Sequence, residues 1–265
     1  TFQALVLPVD GEPMFVIRQL EYFNFIANTF ISDASVYLDG DDPVSFLVAA
    51  IERKGWSNRR IAIDKRGWFL PIAVYEALQG KLGAIHDAAG VVEKLRAVKS
   101  AAEVEKLEFA ARYVDAGMRA GMNAVREGAS ENDLVAAMLQ ASIAAGSEYM
   151  GMEPLVSSGP RTGVPHGTWR RRVLQAGEPA FLEMAASHDR YHAALMRCAW
   201  LGKPPAIAAE MEKVCQEALQ AALDALRPGE PCEASHIACQ AVIDRAGFTD
   251  AFKKRTGYSV GISFA

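Results

Sequence analysis

The chain has 265 residues, 51% of them hydrophobic and 23% charged, with a formal net charge of −4; this suits a soluble globular protein of one large or two modest domains. The mildly acidic balance gives no electrostatic case for nucleic acid, and no apolar run approaches the roughly 20 residues that cross a bilayer. Cys198, Cys215, Cys232 and Cys239 are scattered without a zinc spacing, as in a cytoplasmic protein with reduced thiols. Arg170-Arg171-Arg172, the one basic cluster, reads as a solvated turn.

Strands and helices alternate from residue 1 to about 93. Asp10-Gly11 predicts a hairpin turn between strands at 3–8 and 13–18, since such turns need positive φ. Asp42-Pro43 starts a helix, with a side-chain cap followed by Pro at the first helical position, and Gly55 ends it. Residues 60–63 read as a short buried strand, and 70–78 as a helix closed by Gly80. This alternation predicts a small α/β domain with a mixed sheet.

The texture changes near residue 94. Ser100-Ala101-Ala102-Glu103 is a capping box opening a long helix. Val104, Leu107, Ala111, Val114, Met118 and Val125 give that helix a core stripe, and Gly128 closes it. Ser130-Glu131-Asn132-Asp133 caps a second helix ending near Gly146. Extended stretches follow at 153–158, 179–186 and 190–201. A helix starts at Pro204-Pro205 and stops at Arg227-Pro228-Gly229, and another runs from about 233 to Gly247. Thr1 leads straight into a strand and Ala265 stops within one, so the sequence reads as the middle of a longer polypeptide.

One series of motifs is specific. Ser157-Ser158-Gly159 is followed by His166, then Glu183, then Arg190-Tyr191-His192-Ala193-Ala194-Leu195-Met196-Arg197. This resembles the creatinase/prolidase ("pita-bread") family, as does the entry Arg96-x-x-Lys99-Ser100-x-x-Glu103. Metal-dependent members carry a Ser-Gly strand end, a His, an Asp-x-Gly, and a Tyr-x-x-Asp-x-Thr-Arg, the two Asp bridging a dinuclear metal site. Here Glu183 stands at the first Asp position and Ala194 at the second. Alanine has no donor atom. The segment Gly257-Tyr258-Ser259-Val260-Gly261 likewise lacks the His ligand of the family. The resemblance therefore implies the metal-free branch, with no metal and no other cofactor. The fold it implies is α/β (α+β): a creatinase-type N-terminal α/β domain over 1–93 and a pita-bread catalytic domain over 94–265, incomplete at both chain ends. It also implies a homodimer.

The site residues follow from the same alignment. Glu183 interrupts an apolar strand, where a carboxylate is costly unless paired or used; an apolar pocket would raise its pKa toward that of a base. It is expected to activate water or to attack directly, and otherwise it is an outward-facing strand residue. His166, beside Gly167 and Pro165, is the expected proton donor, against the alternative of a surface-loop histidine. Strand alternation puts His192, Ala194, Met196, Cys198 and Trp200 on one face, so His192 and Met196 are expected to line the pocket. In creatinase the Met196 position is a Glu that helps bind guanidinium, so Met196 speaks against creatine. Tyr258 would either bond substrate or fill the volume left by a metal. Arg197 matches a structural Arg of the family and reads as a buried ion-pair partner; His188 and His236 read as surface residues.

Among metal-free relatives, the runs 181–183, 190–197 and 256–261 are most similar to those of the ectoine hydrolases, which open the cyclic amidine of ectoine to an acetylated diaminobutyrate. An amidinium carbon is already electrophilic, so a Lewis acid is less necessary than for a peptide carbonyl. The implied partner is a small zwitterionic substrate. Two later Glu positions of the family fall beyond Ala265. A proline-directed peptidase and a non-catalytic pita-bread binding module are the alternatives; Ala194 and Tyr258 oppose the first, and retention of His166 with Glu183 opposes the second.

Overall fold

The computed structural model describes residues 2–149 and 151–263. The chain divides into two compact units, Thr1–Arg96 and Ala97–Ala265. In the first, β1 (Ala4–Val6) pairs antiparallel with β2 (Met14–Arg18), and β3 (Ala34–Tyr37) runs parallel to β2. The turn holds Gly11 at φ 109°, in a wider loop than a two-residue hairpin needs, so both strands are shorter than 3–8 and 13–18. Helix α1 (Tyr22–Asn28) links β2 to β3. Helix α2 (Pro43–Arg53) begins as expected: Asp42 accepts from the Ser45 amide and Pro43 takes the first turn. A separate parallel pair, β4 (Ile61–Ile63) and β5 (Ile85–Asp87), flanks α3 (Ile72–Leu82). Met14, Val16, Tyr37, Leu47, Ile51, Leu78 and Ile85 form the core of this unit. Helix α3 runs through Gly80, correcting the expected stop; Gly83, at φ 78°, supplies the left-handed residue that ends a helix. Helix α4 (Val91–Ala97), unmarked in the sequence, follows.

In the second unit, α5 (Ala101–Ala124) and α6 (Glu131–Ala145) each begin on a full capping box, Ser100/Glu103 and Ser130/Asp133. Glu103 also accepts from the Tyr191 hydroxyl at 2.9 Å, tying the cap to the sheet. The sheet is antiparallel, β6 (Leu155–Ser158), β7 (Pro179–His188) and β8 (Tyr191–Trp200) in that order. Helix α5 buries Ala110, Val114, Gly117, Met118, Gly121 and Ala124. The expected stripe is thus shifted: Val104 and Ala111 are exposed. The reason is closeness. A Cβ on Gly117 would sit 2.7 Å from Met184 Cε and 2.8 Å from the Met138 carbonyl oxygen; one on Gly121 would sit 2.9 Å from Leu182 Cδ2. Helices α7 (Ala206–Ala225) and α8 (Cys232–Arg245) pack on each other through Val214, Ala218, Ala222, Cys239, Val242 and Ile243.

The register of β7 and β8 decides what the sheet presents. Ala180, Leu182, Met184 and Ala186 enter the core under α5 and α6. The alternate residues Phe181, Glu183, Ala185 and Ser187 pair across with Cys198, Met196, Ala194 and His192. Paired residues point to one side, so these eight share the face away from that core.

Candidate active site

Glu183 is 8% exposed and has no hydrogen bond or ion pair among the described residues. Its burial holds the carboxyl above the usual carboxylate range; the positive charges of His166 and Lys254 oppose this more weakly. Three elements therefore meet electrostatically at Glu183: the middle of β7, the loop after β6, and the segment after α8. Tyr258, on that last segment, feels the Glu183 charge too, and its phenol is pushed up first by burial and then by Glu183.

That segment is fastened to the sheet. Lys99 Nζ donates to Ser259 Oγ at 2.8 Å, the His192 amide to the Gly261 carbonyl at 2.9 Å, and the Ser263 amide to the Arg190 carbonyl at 3.0 Å. Tyr258 remains half exposed, under Arg255 at 5.6 Å from its ring centroid.

His166 is exposed and has φ 55°, a left-handed conformation that His adopts more readily than most side chains. It follows a 3₁₀ turn, Gly159–Gly163. Met196 lies directly across from Glu183 and is exposed. His192 is buried at 1% exposure, with Tyr149 edge-on at 5.8 Å and Gly151 so close that an added Cβ would overlap the imidazole. Neither ring nitrogen has a hydrogen-bond partner of normal geometry among the described residues. Burial pulls its pKa down, against weaker pull from the Arg190 and Gly261 backbone. The structure thus sets Met196 across from Glu183 on one face, keeps His166 and Tyr258 within electrostatic range of Glu183, and sets His192 beneath that face rather than open on it.

Several other expectations are corrected. Arg197 is exposed and donates only to the Met196 carbonyl among the described residues; it points to the α5 side of the sheet, beside Asp115 and Arg119, where no buried carboxylate waits for it. His188 is half-buried, stacked 4.7 Å from Phe109 with Nδ1 3.1 Å from the Tyr113 hydroxyl. His236 is exposed, as expected. Arg172, in the basic cluster, is not solvated: it makes a two-point ion pair with Glu178 at 2.8 and 2.6 Å.

Two participants went unread in the sequence. Glu131, taken as part of a helix cap, is fully buried. Lys254 sits in an undistinguished basic run, and only the fold brings it near Glu183.

The described residues do not by themselves assemble the donors of a dinuclear metal centre. Ala194 lies two residues from Met196 on the site face and offers no donor atom, and among the described residues no group of three or more His, Cys, Asp or Glu converges. Among the described residues no helix is long and apolar enough to cross a membrane.

The family profile described as metallopeptidase family M24 matches residues 105–265, and that of the creatinase/prolidase N-terminal domain matches residues 1–98. The chain is 26% identical to the ectoine hydrolase of Halomonas elongata, covering 99% of this chain and 70% of that protein. It is also 26% identical to the Xaa-Pro dipeptidase of Lactobacillus helveticus, covering 97% and 71%. Among solved structures, the prolidase of Thermococcus sibiricus superposes with a TM-score of 0.89 at 22% identity over 99% of this chain and 71% of its own, which shows the fold. The dipeptidase PepE of Mycobacterium ulcerans gives 0.83 at 28% identity, again over 99% and 71%.

Proposed function

Because the chain belongs to metallopeptidase family M24, whose members are hydrolases, we propose that it hydrolyses a non-peptide C–N bond in a small cyclic amidine, ectoine above all, without a metal. The observation that carries this reading is Glu183, a buried carboxylate with no hydrogen bond or ion pair among the described residues, on a face where Ala194 offers no donor atom.

The chemistry needs three things. A nucleophile must reach the amidinium carbon, the tetrahedral adduct must collapse, and the departing ring nitrogen must be protonated. Glu183, desolvated by burial, accepts a proton from water as the water oxygen bonds to carbon, or bonds to the carbon itself and is released by water afterwards. His166 gives its proton to the leaving nitrogen as the ring C–N bond breaks, yielding an acetylated diaminobutyrate. The negative charge of Glu183 also attracts the amidinium in the ground state. Met196, across from Glu183, gives the amidinium an apolar neighbour and leaves the additional guanidinium nitrogen of creatine without an acceptor. An unpaired buried donor costs about 1–3 kcal/mol. Tyr258 completes the wall, and His192 supports it from beneath. We read the protein as a cytoplasmic homodimer acting on a zwitterionic small molecule.

The equal identity to an Xaa-Pro dipeptidase supports a second reading, peptide-bond hydrolysis. The two separate cleanly. Specificity constants of the full-length protein are measured for ectoine, creatine and an Xaa-Pro dipeptide, with and without added manganese. Turnover of ectoine well above creatine, unchanged by manganese, is expected; turnover of the dipeptide alone would reverse the assignment.

A further inference from the structure

Glu131 is the first residue of α6, and its side chain is completely buried. Such a carboxylate persists only when fully paired, and this one is. Oε1 accepts from Ser158 Oγ at 2.8 Å. Oε2 accepts from Arg161 Nη1 at 2.7 Å and from the Arg170 backbone amide at 2.6 Å. Arg161 reaches further, donating from Nη2 to the Thr168 carbonyl at 2.8 Å.

The placement of these contacts matters more than their number. Arg161 and Arg170 are the two ends of the loop that carries His166, and one carboxylate oxygen holds both. The strand from which the loop departs is held by the other oxygen, through Ser158. The interior of the loop is largely exposed at residues 163–166, and His166 sits at its turning point in the left-handed region. Within it the Val164 amide donates to the Arg161 carbonyl at 2.9 Å, again anchored at Arg161. A loop closed this way loses its shape when its closing group is removed.

We propose that Glu131, acting through Arg161 and the Arg170 amide, is a positioning residue that sets His166 against the Glu183 face. This rests on the role given to His166 above, and the consequence for turnover rests on it directly. Ser158 also accepts from Arg172 Nη1 at 3.0 Å, and Arg172 is paired with Glu178. The strand end thus stays fixed when the Glu131 contact is weakened, and the change falls on the loop.

The test uses Glu131→Gln and Arg161→Met in the full-length protein. The imidazole carbon–proton signal of His166, assigned by its loss in His166→Ala, is expected to shift in both variants while core methyl signals stay in place. Each variant is expected to lower kcat by about 10- to 100-fold with a smaller change in KM. In a His166→Ala background, the same substitutions are expected to add less than about twofold, because groups acting as one unit are not additive. A His166 signal unmoved in both variants, or equal factors in the two backgrounds, would overturn the proposal. If Glu131→Gln does not fold, Arg161→Met, whose side chain is partly exposed, reads the same two quantities. Full activity of His166→Ala would instead overturn the catalytic reading of His166, and the imidazole signal would then decide the positioning by itself.

Discussion

At the scale of single residues, Glu183 couples stability to activity. Its folded-state pKa is raised by burial, so in the window between the unfolded and folded values the folded protein binds the proton more tightly. Stability then falls as pH rises through that window. Glu183→Gln is expected to unfold at a higher temperature than the parent at neutral pH, the gain vanishing in acid. Turnover should move the opposite way. The parent's acid limb is expected above the ordinary carboxylate range, because the carboxylate must be ionised to act, and Glu183→Gln should have no measurable turnover. His166→Ala should keep a residue of activity, since general-acid help is worth about 10²–10⁴-fold and solvent replaces part of it. Single-turnover product formation across a pH series, with thermal melts on the same samples, checks each statement. A Glu183→Gln protein retaining a tenth of parental activity would make Glu183 a buried strand carboxylate with no catalytic part. His192 follows the reverse sign. Its pKa is lowered by burial, so the stability it allows is full above its unfolded value and is lost as pH falls through the lower folded one.

At the scale of elements, the local signals were legible and the long-range ones were not. Both capping boxes and the Asp42-Pro43 start act within one turn of chain, and each formed as expected. The face of α5 that meets the sheet is legible only in part, because hydrophobicity is not the whole sign of burial there: Val104 and Ala111 are exposed. Val114 and Met118 are buried on that face as the stripe requires, but Ala110, Gly117, Gly121 and Ala124 complete it, residues whose value is their small size, and only the backbone approach of α6 and β7 reveals them. Gly117→Ala tests this directly. Helix propensity alone would make the change stabilising by about 1 kcal/mol. The new Cβ would instead press on the Met138 carbonyl oxygen at 2.8 Å, which is backbone and cannot turn aside as the Met184 side chain can. Overpacking of this kind costs about 1–3 kcal/mol. Denaturant unfolding is expected to show Gly117→Ala less stable than the parent; a gain in stability would mean that the helix can ride outward freely.

At the scale of the whole molecule, the site was legible where it lies on strands and hidden where loops build it. Alternation along residues 191–200 placed Ala194 and Met196 with His192 on one face, and the β7–β8 register puts Glu183 there with them. Period two says which side a residue faces, but not how deep it lies, so burial of His192 under Gly151 and Tyr149 could not be read. Lys254 and the Glu131 clamp join elements 71 and 30 residues apart from Glu183 and Arg161, and no spacing rule spans such distances.

The same register yields a statement about metal content. A metal pair bridged by carboxylates across this strand pair would draw a ligand from each strand, since one strand offers a side chain to this face only at every second residue. Here β7 contributes Glu183, and the β8 residues facing and flanking it are Met196 and Ala194, neither of which has the oxygen or nitrogen ligand such ions take, while His192 on the same strand is buried under Gly151 and Tyr149. Tyr258, on the third segment, presents a neutral phenol whose pKa is raised rather than lowered, so it is a worse anionic ligand than an ordinary tyrosine. The full-length protein, prepared without chelator, is therefore expected to hold far less than one equivalent of transition metal by elemental analysis, and dialysis against EDTA should leave kcat unchanged. About one tightly held ion per chain, lost together with activity on dialysis and restored with it, would mean that Glu183 is a metal ligand and that water reaches the substrate from a metal rather than through the carboxylate.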